Sequence, residues 1–409
     1  MATESKTQLV KYLVGGCVRD RLLNLEPKDK DWVVVGSSPE QMLALGFKQV
    51  GRDFPVFLHP QTKEEYALAR IEKKNAPGHG GFQVFADPTV TLEQDLARRD
   101  LTINSIAMTE DHRLIDPFHG ARDLEHGILR HTSSSFTEDP LRVLRLARFG
   151  AQMGFEIAAE TIQLARSISA SGELAYLSPE RVWQELQKAL AGKSPAKFIR
   201  ILRRLDALQQ LFPEIDRLFG VPQAEIHHPE IDTGSHLLLA LERAAELSDD
   251  PLVRFAVLVH DLGKGVTPET EWPRHIAHEA AGVPLVKALC DRYRIPGHYC
   301  RLGQNTSAWH LQAHRAMSLK PRTLVRLFER LDAFRRPADL ERFILACQAD
   351  AQGRKGFGQA PYPQADYLRR AFRAAGQISA AAIVAEGKQG LAVGDELKAR
   401  RIRAVRDLV

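Results

Sequence analysis

The sequence predicts an α+β domain followed by an all-α region, and the spacing of its apolar residues carries this prediction. Between residues 10 and about 130, apolar residues fall in short or alternating runs bounded by turn residues, as they do in β-strands. From about Asp139 onward they recur at i, i+3 and i+4, which is typical of amphipathic helices. Two helical stretches between the strands, 39–45 and 92–99, indicate that the first domain combines a sheet with helices.

The strands of the first domain are predicted from five short segments. They read QLVKYLVGG, DWVVVG, FPVFLHP, EEYALARIE and HRLIDPF. The glycine-rich stretch 73–81 between two of these segments reads as a mobile loop.

The helices of the second region are predicted from longer periodic segments, several of which open with Ser or Pro, as helix starts often do. Examples are PLRVLRLARFGAQMGF, SPERVWQELQKAL, PAKFIRILRRLDALQQLF and PLVRFAVLVHDLG. The helical pattern breaks at 218–232 and again near 353–363, and we expect a subdomain boundary at the first break.

Composition sets broad limits on the class of protein. The 409 residues are enough for two to four domains, and 44% hydrophobic with 26% charged residues is ordinary for a globular protein. No apolar run approaches the roughly 20 residues that cross a bilayer, and the N-terminus lacks the features of a signal peptide; we therefore expect a cytoplasmic protein without a membrane partner. The net charge of +5 is compatible with a polyanionic partner. The four scattered cysteines fit neither a disulfide framework nor a zinc knuckle.

The most informative motif joins a glycine pair to two aspartates. Gly15 and Gly16 allow a close approach of the backbone to a bulky anion, and Arg19 follows at a distance suited to a phosphate. Asp29 and Asp31 then open an apolar run, and on a strand they would share one face. Two carboxylates beside a phosphate-binding turn suit two divalent ions for a displacement at phosphorus, so the motif predicts a nucleotidyltransferase site.

In this combination the chain resembles the tRNA nucleotidyltransferases that add the 3′-terminal CCA, in particular the bacterial form with a C-terminal HD-type phosphohydrolase domain. The resemblance extends from about Tyr12 to about Arg403. It implies an α+β nucleotidyltransferase head, with a mixed sheet and helices, followed by an all-α neck, body and tail containing an HD-type helical domain. The domains implied are a catalytic head at 1–137, a neck and body at 138–225, an HD-type domain at 226–335 and a tail at 336–409.

The resemblance also implies the reaction and its participants. An RNA 3′-hydroxyl attacks the α-phosphorus of ATP or CTP, with Mg²⁺ held by Asp29 and Asp31, and pyrophosphate leaves. The partner is tRNA, contacted at its acceptor arm and 3′ end by a monomer or a homodimer. Glu65 could supply a third carboxylate, although a solvated strand residue is the plainer reading.

Two further motifs add candidate residues to this site. In RRDLTIN, Arg99 contacts the nucleotide by resemblance, while Asp100 and Asn104 bind the sugar or brace the site. In a third family motif, LIDPFHGARDLEHGILR, the expected roles are structural or hinge-like. The residues concerned there are Asp116, Gly120 and Asp123.

A pair of residues at the start of the helical region suits base selection. Asp139 and Arg142 are three residues apart and would share a helix face. A carboxylate accepts from the exocyclic amine of cytosine or adenine and a guanidinium donates to the ring nitrogen, whereas guanine and uracil present the opposite pattern. These side chains could therefore select C and A without a template; the alternative is an ordinary surface salt bridge. By resemblance, Arg145 also belongs to the nucleotide pocket.

A histidine cluster predicts a second site. His260 and Asp261 stand at the end of a predicted helix, and His236 precedes them at the spacing of HD phosphohydrolases. Imidazoles with a carboxylate suit a transition metal, and the resemblance implies one such as Ni²⁺ and hydrolysis of phosphomonoesters or 2′,3′-cyclic phosphates. Leu311 stands where the pattern leads us to expect Asp, and Asp350 is a distant candidate for the last ligand. Further histidines that could contribute are His275, His278, His310 and His314.

Basic clusters in the helical region could follow tRNA phosphates, although solvated helix faces would look the same. They are Arg200, Arg203 and Arg204; Lys320, Arg322 and Arg326; and Arg400, Arg401 and Arg403.

Three alternatives to CCA addition remain open. They are a bacterial poly(A) polymerase, a nucleotide-signalling regulator that pairs a transferase with an HD hydrolase, and a non-catalytic RNA-binding relative.

Overall fold

The computed structural model describes residues 9–27, 29–50, 56–74, 82–226 and 228–408, and residues 75–81 of the predicted loop lie outside this set. The chain divides into two compact units. Unit 1 comprises Met1–Val182 with Arg204–Gln210, and unit 2 comprises Trp183–Arg203 with Leu211–Val409.

Unit 1 contains the mixed sheet that the sequence predicts. Its seven-stranded sheet has the order β3-β4-β5-β2-β1-β8-β9 among the described residues. The central strand β2 is antiparallel to β1 and parallel to β5, and this parallel register places Asp31 opposite Glu65. The strands are β1 Val10–Val14, β2 Asp31–Val35, β3 Lys48–Val50, β4 Val56–Leu58, β5 Glu65–Leu68, β6 Ile71–Lys74, β7 Phe82–Phe85, β8 Ala107–Met108, β9 Leu114–Ile115, β10 Ile128–Leu129 and β11 Glu156–Ile157. Outside the large sheet, β6 pairs with β7, and β10 pairs in parallel with β11.

Both faces of the large sheet are buried, which explains the continuous apolar run of β2. Trp32 and Val34 pack into one core cluster together with Val18 and Met42. Val33 points to the other face and packs with Leu96. The alternation fixes the register of β2, because a slip by one residue would exchange the two sets of side chains. It also fixes Asp31 at the strand's exposed first position.

The helices of unit 1 begin at recognisable caps. Ser38 and Thr91 each form a capping box with a glutamine three residues later. The helix after Thr91 ends at Ala97, short of the predicted Arg99, so that Arg99 and Asp100 lie in the turn that follows. The helices that precede the predicted break at 218–232 are α1 Gly16–Leu22, α2 Pro39–Ala44, α3 Leu92–Ala97, α4 Gly120–Glu125, α5 Leu141–Met153, α6 Ala159–Ala170, α7 Pro179–Leu190, α8 Pro195–Arg204, α9 Leu208–Leu211 and α10 Pro213–Asp216.

Unit 2 is helical throughout its described part, as predicted. Asp232 and Asp250 cap two of its helices by accepting main-chain N–H groups. Its later helices are α11 Thr233–Leu247, α12 Pro251–Val259, α13 His278–Arg292, α14 Gly297–His314, α15 Pro321–Arg330, α16 Pro337–Gln352, α17 Pro363–Gly376, α18 Ala380–Ala385 and α19 Leu391–Arg406. The two predicted breaks correspond to the intervals between α10 and α11 and between α16 and α17.

Two features of composition are visible in the structure. All four cysteines are free thiols in this structure, and Cys17, Cys290 and Cys347 are buried. Among the described residues, the helices are each too short or too polar to cross a bilayer.

Candidate functional sites

A polar cavity of about 510 Å³ in unit 1 collects most of the first set of predicted site residues. Its lining is strongly basic, with carboxylates interspersed, which is the electrostatic character that a triphosphate needs. The lining residues are Gly15, Gly16, Arg19, Asp31, Arg98, Arg99, Asp100, Asn104, Asp139, Leu141, Arg142, Arg145, Arg148, Phe149 and Arg181.

The glycine pair forms one edge of this cavity. Gly15 has φ +73°, a left-handed conformation that favours glycine, and a Cβ there would lie 2.9 Å from a guanidinium nitrogen of Arg99. Helix α1 begins at Gly16 directly after this turn and carries Arg19 on its first turn. The guanidinium of Arg19 donates to Asn104 at 2.8 Å and to Asp20 at 2.7 Å, and these bonds fix its orientation.

The paired aspartates differ from the predicted arrangement in one respect. Strand β2 begins at Asp31, so Asp29 lies before the strand and the two do not alternate on one strand face as expected. Although this end of the strand is open to solvent, the protein atoms around Asp31 desolvate its carboxyl and raise its pKa; Arg99 lowers that pKa and the charge of Asp29 raises it again. The two carboxylates are therefore near enough to repel each other, and such a pair fits a Mg²⁺ ion, which would relieve the repulsion. Glu65 lies on the neighbouring strand, but among the described residues it does not form a group with the two aspartates whose ligand atoms all lie within 4.8 Å of one another.

The turn after α3 contains a buried carboxylate that holds two cavity side chains. Asp100 accepts from Nε of Arg145 at 2.7 Å and from the amide of Asn104 at 3.0 Å. Burial alone would raise the pKa of Asp100, but Arg145, Asn104 and Arg142 together lower it to about 2. Asp100 therefore stays ionised, and its contacts are those of a brace within the cavity wall.

Asp95, one helical turn earlier, holds two more arginines. Its fully buried carboxylate accepts from Arg98 at 2.6 Å and from Arg99 at 3.1 Å. Burial raises the pKa of Asp95, while these two guanidinium groups lower it below its ordinary value. Both arginines line the cavity, so Asp95 fixes positive charge at its wall.

The predicted base-selecting pair also lines this cavity. Asp139 precedes α5 and accepts the main-chain N–H of Leu141 at 3.1 Å, while its other oxygen accepts from Arg181 at 2.6 Å. Arg142 donates to the main-chain carbonyls of Ser135 and Arg98, at 2.6 and 2.5 Å. Both predicted residues are thus oriented by partners that lie elsewhere in sequence.

Among the cavity residues that the sequence did not indicate, two are arginines, Arg148 and Arg181, whose charge bears on nucleotide binding. Arg148 is the third arginine at a spacing of three along α5, and its guanidinium lies 4.2 Å from the ring centre of Phe149. The repeated spacing of Arg142, Arg145 and Arg148 is a signal that could have identified it. Arg181 comes from α7 and becomes part of the cavity only through the tertiary fold, so no local pattern marks it.

The third motif has a structural place, as expected. Asp116 accepts the N–H groups of Gly120 and Ala121, at 2.7 and 2.9 Å, and so caps α4. A Cβ at Gly120 would lie 2.1 Å from the carbonyl oxygen of Thr102, so only glycine allows this close approach. Asp123 accepts from the hydroxyl of Thr102 at 2.7 Å. These contacts hold the turn that carries Asp100 and Asn104.

A second cavity, of about 460 Å³, lies in unit 2 at the predicted histidine cluster. Of the three ligands predicted first, Asp261 lines it and His236 and His260 do not, whereas Asp350 and the four further candidate histidines all line it. The lining residues are Gln223, Ala224, His228, Asp261, Lys264, Pro273, Arg274, His275, His278, His310, Leu311, His314, Asp350 and Arg354.

Beside this cavity the described residues form three groups of potential ligands with a metal-sized span. In two of them, ligand atoms of His236, His260 and Asp350, and of Asp261, His278 and His310, lie within 4.8 Å of one another. These two groups adjoin, because His260 Nε2 lies 3.2 Å from Asp261 Oδ2. The third group, His228, Glu230 and His236, shares His236 with the first.

The buried charges of this cluster favour a cation. Burial alone would lower the pKa of His260, but the carboxylates of Asp261 and Asp350 raise it to about 10. Burial lowers the pKa of His310 to about 3, which keeps that imidazole neutral, as a ligand must be. Within the described part of the chain, His260 Nε2 and both oxygens of Asp261 are buried without a hydrogen bond of acceptable geometry. The donor set therefore fits a transition metal.

Asp350 supplies the carboxylate that the sequence did not show beside His310. Leu311 lies in the cavity wall instead of an acidic residue. Asp350 Oδ1 lies 2.9 Å from His236 Nε2 and 3.6 Å from His260 Nε2. Helix α16 can approach α11 this closely because residue 353 is glycine. A Cβ at that position would lie only 2.3 Å from the Cα of Ala240.

Of the other predicted histidines, His275 and His314 lie beside the cluster. His314 bonds to Asp350 at 2.7 Å, and His275 contacts Thr267 at 2.6 Å and the carbonyl of Pro222 at 2.8 Å. Lys264, in the same sequence motif as His260 and Asp261, lies 2.7 Å from Asp261 Oδ2.

The basic clusters differ in how far their charge is already neutralised. Arg200 pairs with Glu242 at 2.6 Å. Arg400 pairs with both Glu386 and Glu396, and Arg403 pairs with Glu396. The guanidinium of Arg401 lies 3.6 Å from the ring centre of Phe334. Much of the C-terminal cluster is thus committed to contacts within unit 2.

Comparison with known proteins identifies three family models along the chain. Residues 11–130 match the Poly A polymerase head domain, residues 154–219 match the probable RNA and SrmB-binding site of polymerase A, and residues 233–350 match the HD domain.

Similar proteins of comparable length are also known. The multifunctional CCA protein of Thioalkalivibrio sulfidiphilus is 56% identical over 97% of this chain and 98% of the relative. That of Hahella chejuensis is 55% identical over 97% of this chain and 94% of the relative.

Solved structures share the fold at lower identity. A Thermotoga maritima CCA-adding enzyme complexed with tRNA has a TM-score of 0.64 at 21% identity, covering 97% of this chain and 87% of that chain. A Bacillus stearothermophilus CCA-adding enzyme in complex with CTP has a TM-score of 0.61 at 23% identity, covering 98% of this chain and 89% of that chain.

Proposed function

The chain belongs to the family of multifunctional CCA proteins, and from this premise we propose that it adds C, C and A to the 3′ end of tRNA, using CTP and ATP. The observation that carries the proposal is the unit 1 cavity. It brings the glycine turn, Asp31, at least five arginines and Asp139 to one place, although they lie up to about 165 residues apart in sequence. A triphosphate, its base and a reacting hydroxyl each need one part of this set.

The phosphates of the incoming nucleotide would bind at the glycine turn. The main chain at Gly15 and Gly16 leaves room for phosphate oxygens, and Arg19 and Arg99 supply fixed positive charge. The 3′-oxygen of the RNA attacks the α-phosphorus. The bond between the α-phosphorus and the oxygen that bridges it to the β-phosphorus breaks, and pyrophosphate leaves. Mg²⁺, when bound by Asp29 and Asp31, lowers the pKa of the hydroxyl and neutralises the leaving group. Glu65, paired in register with Asp31, is a third candidate ligand.

Base selection is the role we assign to Asp139 and Arg142. The carboxylate would accept from the exocyclic amine of C or A, and the guanidinium would donate to the ring nitrogen. Arg181 orients the carboxylate through a contact of 2.6 Å. Arg145 and its brace Asp100 would close the side of the pocket.

For the HD-type domain we propose a metal-dependent phosphohydrolase. His236, His260, Asp261 and Asp350 are the proposed ligands, and a transition metal such as Ni²⁺, when bound, activates water and polarises the phosphoryl group. Lys264 and Arg274 line the same cavity and would bind phosphate oxygens. Phosphomonoesters and 2′,3′-cyclic phosphates at RNA ends are the proposed substrates.

The division of labour along the chain is part of the same proposal. The head at 1–137 carries the chemistry of nucleotide addition, 138–225 selects the base and binds tRNA, and 226–335 hydrolyses phosphate esters with Asp350 supplied by the helical tail at 336–409. We place the protein in the cytoplasm, where tRNA is made, as a monomer or a homodimer. The acceptor arm and 3′ end are the proposed contacts on tRNA, since recognition by shape suits a protein that accepts every tRNA.

The experiment extends a labelled tRNA transcript that lacks CCA, with CTP, ATP and Mg²⁺, and reads product length on a gel. We expect growth by three nucleotides, which Asp29→Ala abolishes and the exposed control Glu26→Ala preserves. Addition of a long A tail would favour a poly(A) polymerase. No extension, with folded protein and intact tRNA, would favour a non-catalytic RNA-binding protein.

A further inference from the structure

The residues between α16 and α17 contact the histidine cluster at two points. We call residues 353–362 the connecting segment. Its last residue, Tyr362, and its main chain at Lys355 each bond to a side chain that in turn contacts a proposed metal ligand. Both contacts lie within unit 2.

The first contact runs from Tyr362 through His314 to Asp350. The hydroxyl of Tyr362 lies 3.0 Å from His314 Nδ1, and His314 Nε2 lies 2.7 Å from Asp350 Oδ2. A carboxylate accepts, so the ring proton of His314 lies on Nε2, and Nδ1 accepts from the Tyr362 hydroxyl.

The second contact runs from Lys355 through Glu230 to His236. The main-chain N–H of Lys355 donates to Glu230 Oε2 at 3.1 Å. The other oxygen, Oε1, lies 2.9 Å from His236 Nδ1 and 3.1 Å from His228 Nδ1. A carboxylate beside Nδ1 favours the tautomer that is protonated on that atom, and a bound metal would take the place of the proton that lies between His236 Nε2 and Asp350 Oδ1.

The connecting segment is itself anchored to the helices around the cluster. The amide of Gln352 donates to the carbonyl of Ala360 at 2.7 Å, and its oxygen accepts from Arg243 at 2.9 Å. Gly353 packs against Ala240 too closely for any larger residue. The segment therefore holds a defined position next to the ligands it contacts through other side chains.

We propose that the connecting segment positions two metal ligands of the HD-type site, His236 through Glu230 and Asp350 through His314. Glu230 and Tyr362 act as positioning residues. Glu230 also belongs to a group of potential ligands with His228 and His236, but in this proposal it acts on the metal through His236, and Tyr362 acts through His314. The proposal rests on the proposed metal-binding function of this cluster. Partners of this kind, one bond removed from the metal, typically contribute about 10- to 100-fold to metal affinity.

The test titrates Ni²⁺ into the full-length apoprotein by calorimetry. We expect about tenfold weaker binding in Tyr362→Phe and 10- to 100-fold weaker binding in Glu230→Ala. Glu230→Gln, which keeps an acceptor oxygen, should recover part of the affinity and provides a milder variant if the alanine variant does not fold. A second readout is the visible absorption of bound Co²⁺, whose bands should shift in both variants because the ligand field changes.

Matched controls separate positioning from general destabilisation. Tyr293→Phe removes a hydroxyl that donates to the carbonyl of Leu211, and Glu214→Gln removes charge from a two-point contact with Arg292. Both controls lie in unit 2 away from the cluster and should bind Ni²⁺ within twofold of wild type. Wild-type affinity in either Tyr362→Phe or Glu230→Ala would overturn the proposal. Failure of the wild-type protein to bind Ni²⁺, Co²⁺ or Mn²⁺ would instead overturn the metal-binding function on which it rests.

Discussion

Replacement of Asp100 by Asn would remove the charge that braces two sides of the nucleotide cavity. The carboxylate accepts from Arg145 on one side and from Asn104 on the other. Asn104 in turn accepts from Arg19 at 2.8 Å. In the variant, an NH₂ group takes the place of one of the two acceptor oxygens. This donor then faces another donor, either the guanidinium of Arg145 or the amide of Asn104.

The pKa of Asp100 gives the size of the effect on stability. It lies at about 2, against an ordinary value of 3.8. At about 1.4 kcal/mol for each tenfold change in the acid dissociation constant, the ionised carboxylate contributes about 2 kcal/mol to folding. Because the pKa is lowered in the folded state, this contribution is complete above about pH 4 and is lost as the pH falls towards 2.

Two assays compare wild type with Asp100→Asn. The first measures the free energy of unfolding in urea with a spectroscopic signal that reports on unit 1, and the second measures steady-state nucleotide addition. We expect a loss of about 2 kcal/mol that is constant between pH 8 and pH 5. We also expect KM for both CTP and ATP to rise about tenfold, since Arg145 and Arg19 lose their anchor. The exposed control Asp111→Asn should change stability by less than about 0.5 kcal/mol.

Three results would refute this reasoning. An unchanged free energy of unfolding at neutral pH would mean that the stabilisation from the ion pair is offset by the cost of desolvating its charges. Unchanged KM for both nucleotides, with the loss of stability observed, would mean that the brace does not orient the cavity arginines. A stability difference that grew as the pH fell from 8 to 5 would contradict the lowered pKa itself.

Three further outcomes follow from the two sites. Asp31→Asn should reduce nucleotide addition by roughly a thousandfold or more while leaving phosphate release from an RNA 2′-phosphate intact, and comparable loss of both activities would contradict separate sites. His260→Asn should abolish Ni²⁺ binding and phosphate release yet leave addition of CCA unchanged; retained Ni²⁺ affinity would show that the ion binds elsewhere. Arg181→Gln should lower the discrimination between CTP and UTP about tenfold, because Asp139 loses the donor that orients it, and an unchanged incorporation ratio would refute that role.

The fold class was predictable because local pattern and tertiary environment agree. The apolar run of β2 is continuous because both sheet faces are buried, and the helical periodicity of unit 2 reflects one buried stripe on each helix. Element ends were less accurate. The predicted helix 92–99 ends at Ala97, since the chain must turn there to bring Asp100 under Arg145. The two-residue strand β11, in a region predicted to be helical, exists only through its pairing with β10.

Candidate residues within a motif could be found from sequence, and partners contributed by distant elements could not. Arg99, Asp100 and Asn104 are neighbours in the chain, and they line one cavity. Arg181 reaches Asp139 across 42 positions, and Glu230 and Tyr362 flank the histidine cluster from separate loops. Asp350 was only a distant candidate, because the contact between α11 and α16 that brings it to His236 has no local signature.

The most direct test of the account supplies each nucleotide separately to a tRNA that ends before its CCA, with Mg²⁺ and wild-type protein. We expect CTP alone to add two residues, ATP alone to add none, and both together to add three in the order C, C, A. GTP and UTP should add nothing, because Asp139 and Arg142 present the wrong pattern to their bases. A long tail with ATP alone, or equal use of UTP and CTP, would contradict selection of C and A by these protein side chains.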